Sequence, residues 1–356
     1  MRHLPTFATT APGRLRVAED GPARPAGRCR MEALITWLDW MEAWRSRLWP
    51  QRLAFLDGWM LLLPALLLVA VLVVGLVEIV DMSLRSLDRA TFLLGEDWTL
   101  ANYAAALSRR ATWVIGWRTL WASLVTTVLT LALAFPYAYA LVRTPNAAWR
   151  RFLLVSLFLP FFLGQVVRAY GWLIVLGRQG LVNSLLGLAG IEPWPLIYTP
   201  PAVVLGLVQY MLPFAVLMLA PAMTAIPEEL ELASASLGAG WVRTFTNVVL
   251  PLARPGLVAA GVVVFTLTFT EYAIPQIMGG GKFDFAAQAV YEAWFSTSDA
   301  GQGSALAVLV VLVSTGLTAL MLALLGGRAA AGRVGRAAAA DLSAAGMTAA
   351  GTGAAR

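Results

Sequence analysis

The sequence predicts an all-α fold, a polytopic membrane protein with six transmembrane helices, and three observations carry that expectation. Of 356 residues, 59% are apolar and 13% are charged, where a soluble domain carries roughly 25% charged residues. The mean hydropathy is +0.72. Six apolar segments, at 56–80, 117–142, 152–176, 202–223, 257–277 and 305–325, each reach the roughly 20 residues that cross about 30 Å of hydrocarbon. Third, the basic residues cluster between these segments. The net charge of +6 is almost all arginine, with Lys282 the single lysine. That pattern points to membrane orientation rather than to nucleic acid.

Residues 1–30 are rich in Pro, Gly and Arg and hold no apolar run, which predicts a disordered basic tail. Met31 and Met41 are alternative starts. In 31–52, Trp37, Met41, Trp44 and Leu48 recur at helical spacing, as in an amphipathic helix lying at headgroup depth. A membrane domain follows over 53–327, and the Ala/Gly-rich stretch 328–356 predicts a second disordered tail. Arg45, Arg47 and Arg52 precede the first span, Arg143, Arg150 and Arg151 join the second to the third, and Arg243 and Arg254 precede the fifth. The positive-inside rule then places both termini in the cytoplasm. Pro136, Pro160 and Pro213 fall inside spans, where each can kink its helix.

Several chemistries lack their residues. Cys29 is the single cysteine and His3 the single histidine, so neither a metal site nor a Ser-His-Asp set is expected. A membrane enzyme lacks its paired catalytic groups. The stretch "GGGKFDF" at 279–285 has a lysine but not the spacing of a phosphate-binding loop, and reads as a turn. No catalytic residue and no bound cofactor are expected.

Between the fourth and fifth spans lies a loop over 226–251, which contains the run "ELASASLGAGWVRTFTNVVLPL" starting at Glu231. Pro227 suits a first helical position, and Glu228 and Glu229 suit the positive end of a helix dipole. Leu230, Ala233 or Ser234, and Leu237 form a narrow apolar stripe. Gly238 is where this helix should stop, because glycine reaches a left-handed cap without penalty. A second short helix is expected from Trp241, with Trp241, Phe245 and Val248 on one face, until Pro251 breaks it. Two capped helices at an angle can present a face to a partner. They can also fold back on the bundle.

This stretch resembles the coupling loop of the inner-membrane permeases of ABC importers, whose pattern is E-A-A-x(3)-G-x(9)-I-x-L-P. Ala233 and Ser234 stand at the two alanines, Gly238 at the glycine, Val248 at the isoleucine, and Leu250 and Pro251 at the Leu-Pro. Leu232 stands at the glutamate, so Glu229 or Glu231 would have to substitute for it, and Ser236 stands at the usual aspartate. "WRTLWASLVTTVLTLALAFPYAYALVR", "LPFFLGQVVRAYGW" and "TEYAIPQIMGG" resemble the second, third and fifth spans of spermidine/putrescine-type permeases. The resemblance implies a pathway for a small solute, most readily a polyamine, in the bacterial inner membrane. Phosphonates or amino-acid derivatives are the alternative solutes. It also implies partners: two copies of a cytoplasmic ATPase that carries ATP and Mg, a second homologous permease, and a periplasmic binding protein. The loop residues expected to couple to the ATPase are Glu229, Glu231, Ala233, Ser234, Leu237, Gly238, Ala239, Phe245, Val248, Leu250 and Pro251. Asp or a bulky side chain at Gly238 is expected to uncouple hydrolysis from uptake.

Charged groups within a bilayer are costly and face a partner or a cavity. Gln165, Arg168 and Tyr170 lie in the third span, Glu271 and Tyr272 late in the fifth. They form either a polar patch touched by the passing solute or an internal Arg168–Glu271 pair; alternatively, Arg168 snorkels to the interface. A self-sufficient secondary transporter would require an inverted repeat with broken half-helices. No convincing repeat relates spans one to three with four to six.

Overall fold

In the computed structural model, the described residues are 36–37, 40, 54–88 and 93–326. The expected tails, and Met41, Trp44 and Leu48 of the interfacial stretch, lie outside them. The chain divides into two units, Met1–Val73 and Val74–Arg356. In the first, Trp37 and Trp40 are exposed, and helix α1 (Ala54–Ser83) begins. From Leu62 onward the apolar stretch of α1 is exposed on all sides. A helix apolar all round belongs in a membrane.

The second unit opens, after the end of α1, on a small antiparallel hairpin, β1 (Arg85–Asp88) and β2 (Leu93–Trp98), with Leu87 opposite Leu94. Asn102 on α2 (Ala101–Ser108) donates from Nδ2 to the Ser83 and Arg85 carbonyls, which ties α2 to the hairpin. Helix α3 (Arg110–Arg143) is the longest among the described residues, at 34 residues. It would measure about 50 Å at 1.5 Å per residue, so its ends project beyond the hydrocarbon. It stops because Pro145 follows: Thr144 is extended at φ −70°, ψ 124°, as a residue before proline prefers. The Asn146 side chain then accepts from the Ala148 and Trp149 amides and starts α4 (Ala147–Phe162), an N-cap. Helices α5 (Gln165–Leu176), α6 (Leu181–Leu188) and α7 (Pro200–Thr224) follow.

After α7 come α8 (Glu228–Ser236), α9 (Trp241–Leu252), α10 (Arg254–Phe269) and α11 (Ala273–Gly279). Helix α12 (Ala286–Tyr291) and α13 (Ala300–Met321) complete the unit. Gly280 and Gly281 have positive φ, and the Lys282 amide bonds the Gly279 carbonyl at 3.1 Å. The lysine-bearing stretch is thus a turn.

Among the described residues, four continuous helices are long and apolar enough to cross a membrane, α1, α3, α7 and the α13 region, and counting each of two bent pairs as one span brings the number to six. The expected third span is broken. Helix α4 ends two residues after Pro160, Leu163 and Gly164 interrupt the ladder, and the chain turns by 101°. The expected fifth span is broken as well, at Thr270–Tyr272, between α10 and α11. A further bend of 70° at Ala253 separates α9 from α10. Pro136 and Pro213 leave α3 and α7 continuous.

Helices α3, α7 and α10 pack as a trio around Ala134, Phe135 and Ala138, Met211, Ala215 and Leu219, and Ala260 and Val264, all buried. Small residues let backbones approach where lipid offers no hydrophobic drive. Gly256 shows how closely: a Cβ there would lie 2.3 Å from the Ala222 Cβ. Thr119, Ser123, Thr126, Thr127 and Thr130 form a buried hydroxyl row along α3. Thr119 Oγ1 donates to the Ile115 carbonyl and accepts from the Ala286 amide, so it fixes α12 against α3.

Candidate functional site

The loop between α7 and α10 forms two helices joined at a glycine. Gly238 adopts φ +81°. Its amide bonds the Ala235 carbonyl at 2.9 Å and the Ala239 amide bonds the Ser234 carbonyl at 3.1 Å. This pair closes the end of α8 as a Schellman motif. Pro227 is the N-cap of α8 rather than its first residue, a shift of one position from expectation.

No residue of α8 is buried, and its two sides differ. Leu232 is 66% exposed and Leu237 89%, with Leu230, Ala233 and Glu229 also exposed. Glu231 and Ser234, one turn apart, are half-buried and face the spans. Ser234 Oγ lies 2.9 Å from Thr244 Oγ1 on α9. Glu231 Oε1 accepts from Arg143 Nε at 2.8 Å, and Glu231 Oε2 accepts from the Tyr139 hydroxyl at 2.7 Å. Arg143 also donates from Nη2 to the Ile226 carbonyl at 2.7 Å and reaches Glu228 at 3.5 Å. Of the two carboxylates expected to substitute outward for the family glutamate, Glu231 is therefore committed inward, and Glu229 is the one left exposed. Losing one partner leaves the other charge largely covered and without its counter-ion, at a cost on the order of 1–3 kcal/mol.

In α9, Trp241 stacks on Phe245 at 5.2 Å, and Phe245 meets Phe135 and Tyr139 edge-on at 5.0 and 5.3 Å. Phe245 thus anchors the loop to α3. Residues Phe245–Val249 form a π turn, in which Val249 is buried and Phe245 and Val248 are half-buried. Pro251 lies in the last turn of α9 and Leu250 is exposed. Ala239 is half-buried at the joint.

The second cluster forms where the two broken helices meet. Gln165 is the first residue of α5, immediately after one break, and Glu271 lies within the other. The Gln165 amide donates to Glu271 Oε1, and the same oxygen accepts from the Ala273 amide at 3.1 Å. Glu271 thereby supplies an acceptor to the start of α11, whose first amides have no intrahelical partner. Arg168 does not pair with Glu271. Its guanidinium lies over the Tyr210 ring at 4.9 Å, and its Nη1 is buried without a hydrogen-bond partner.

Tyr170 is exposed and points away from this cluster, because two residues on from Arg168 is the opposite side of a helix. Tyr272 packs on Tyr291 at 5.0 Å, which itself packs on Phe295. Tyr210, unanticipated from sequence, completes the cluster. A cleft of about 790 Å³, lined by Trp113, Trp117, Phe269 and Leu309 among others, contains none of the anticipated pathway residues. Among the described residues no group of His, Cys, Asp and Glu could hold a metal ion.

Apolar crossings, two helices broken at a shared polar junction and a two-helix loop at one end define a membrane transport subunit. The family model for the binding-protein-dependent transport system inner membrane component matches residues 131–329. The chain belongs to that family. It is an ABC permease, a multi-pass transport component of the inner membrane and not an enzyme. It is similar to the inner membrane ABC transporter permease protein YdcU of Escherichia coli K12, 34% identical over 205 residues, which are 54% of this chain and 65% of that protein. It is also similar to the spermidine/putrescine transport system permease protein PotB of Salmonella typhimurium, 32% identical over 206 residues, 57% of this chain and 71% of that one. The fold matches a chain of a bacterial alginate ABC transporter, solved with an alginate-bound periplasmic protein. The TM-score is 0.60 at 13% identity, covering 76% of this chain and 96% of that one. Broken half-helices, which a secondary transporter would also use, therefore occur here within an ABC permease fold.

Proposed function

We propose that the chain forms half of the pathway of an ATP-driven importer for a small cationic solute of the polyamine class. Two copies of a cytoplasmic ATPase, a second homologous permease and a periplasmic binding protein are its partners. ATP and Mg belong to the ATPase, and both termini lie in the cytoplasm with the arginine-rich loops. The observation that carries this reading is the loop itself. Helix α8 turns its bonded carboxylate inward and leaves Leu230, Leu232 and Leu237 outward, a face suited to an apolar groove. The spermidine/putrescine system named for a relative supports the solute class.

The test is a pull-down of the tagged chain in mild detergent, with partners identified by mass spectrometry. An ATPase and a second permease are expected with the wild type, and Leu237→Asp is expected to lose the ATPase while keeping the permease. A chain that purifies alone and moves solute into liposomes without ATP would overturn the reading in favour of a secondary transporter.

On the same reading, Gln165, Arg168, Tyr210 and Glu271 form the polar patch met by the solute. Glu271→Gln keeps an acceptor for the Gln165 and Ala273 donors and removes the charge. Uptake of a diamine is expected to fall about tenfold, a barrier change of about 1.4 kcal/mol, with assembly unchanged. Unaltered uptake would leave Glu271 as a helix cap alone.

A further inference from the structure

We infer that Arg143 is the joint through which movement of the docking helix α8 is delivered to the spans, a positioning residue for transport that acts through Glu231. The inference rests on the importer reading for its transport consequence, but its structural part concerns this chain alone.

Helix α8 holds no buried residue, and its apolar side chains face outward. Packing therefore does not fasten it to the bundle. Its ends are covalently joined to α7 and, through Gly238, to α9. Through α9 the loop reaches α3, the remaining member of the trio that forms the core, by ring packing alone, of Phe245 on Phe135 and Tyr139 and of Trp241 on Tyr139. Arg143 makes the direct ionic connection. It is the last residue of α3, where a cation also suits the helix dipole. One guanidinium bonds Glu231, the Ile226 carbonyl and Glu228. Those acceptors belong to α8 and to the short turn that leads into it.

The Arg143 and Glu231 side chains are only 14% and 16% exposed, so water screens the pair weakly. Tyr139, one turn earlier on α3, takes the second carboxylate oxygen. Both carboxylate oxygens of Glu231 are thus bonded to α3. The fork of a guanidinium fixes direction as well as distance, which a lysine ammonium does not. A displacement of α8 is consequently passed to α3 instead of being absorbed at the loop.

The test uses the full chain, alone and in its complex, with Arg143→Ala, Arg143→Lys and the exchanged pair Arg143→Glu with Glu231→Arg. Amide hydrogen exchange over 228–238 is expected to rise at least about tenfold in Arg143→Ala, with the spans unaffected. The ATPase is expected to copurify still, while uptake falls at least about tenfold. Arg143→Lys is expected to be intermediate, and the exchanged pair to recover part of the uptake that each single reversal loses. Unchanged exchange in Arg143→Ala and Arg143→Lys would overturn the joint. So would uptake within about twofold of wild type, or loss of the ATPase together with uptake, which would make Arg143 a support of the docking face. If the wild type brings down no ATPase, the importer reading fails separately, and exchange in the chain alone decides the joint.

Discussion

Replacing Gly238 with valine is expected to abolish coupling while leaving the protein in the membrane. The glycine sits at φ +81°, and nothing lies within 4 Å of where a Cβ would stand. The penalty is therefore conformational, not steric contact with a neighbour. An L-residue in the left-handed region costs roughly 1–2 kcal/mol, and a β-branched one is a genuine outlier there. Relief would come from opening the two bonds that close α8, after which the angle between α8 and α9 is no longer fixed. Uptake should fall at least about tenfold with ATP hydrolysis retained. Asparagine, which tolerates this region, should stay near wild type, and aspartate should fall between. Uptake in proteoliposomes against phosphate release checks the order, and wild-type uptake by Gly238→Val would refute it.

The second large effect is expected at Gly256, where the obstacle is contact. It is buried on α10, and an added Cβ would stand 2.3 Å from the Ala222 Cβ on α7, against an optimum of about 3.5–4.0 Å between carbons. The helices must separate. Overpacking of this kind costs about 1–3 kcal/mol, and Gly256→Val should cost more than Gly256→Ala. Thermal inactivation in detergent should shift downward in that order. Adding Ala222→Gly to Gly256→Ala should recover much of the loss, since the two sites share one contact. Independent, additive effects would place the strain elsewhere.

What the sequence made legible follows from how local each signal is. Helices α3 and α7 are continuous apolar runs with few charges, and both lie over the expected segments. Gly238 was legible because a left-handed cap needs a glycine whatever surrounds it. The breaks were less so. Pro160 marked the third span as one that could bend, close to the break at Leu163–Gly164, but Thr270–Tyr272 contains neither proline nor glycine. The Gln165–Glu271 bond spans 106 positions, so no window along the chain contains it. Arg143 was legible only as one more basic residue at a span end. The spacing of Tyr139 with Arg143, and of Glu228 with Glu231, placed each pair on one helical face, but their meeting is tertiary.

The broken crossings bear on how the chain enters its membrane. Helix α4 and helix α10 each have 16 residues, about 24 Å at 1.5 Å per residue, against about 30 Å of hydrocarbon. Neither can be threaded alone with its end groups reaching the headgroups, and the broken backbone beyond each is tolerated only beside protein or a wet cavity. Such segments need longer neighbours as a wall, and α3 and α7 are the ones packed beside them. Damage to either is therefore expected to leave the short helices at the bilayer surface, which protease access to the loops flanking α4 and α10 would reveal.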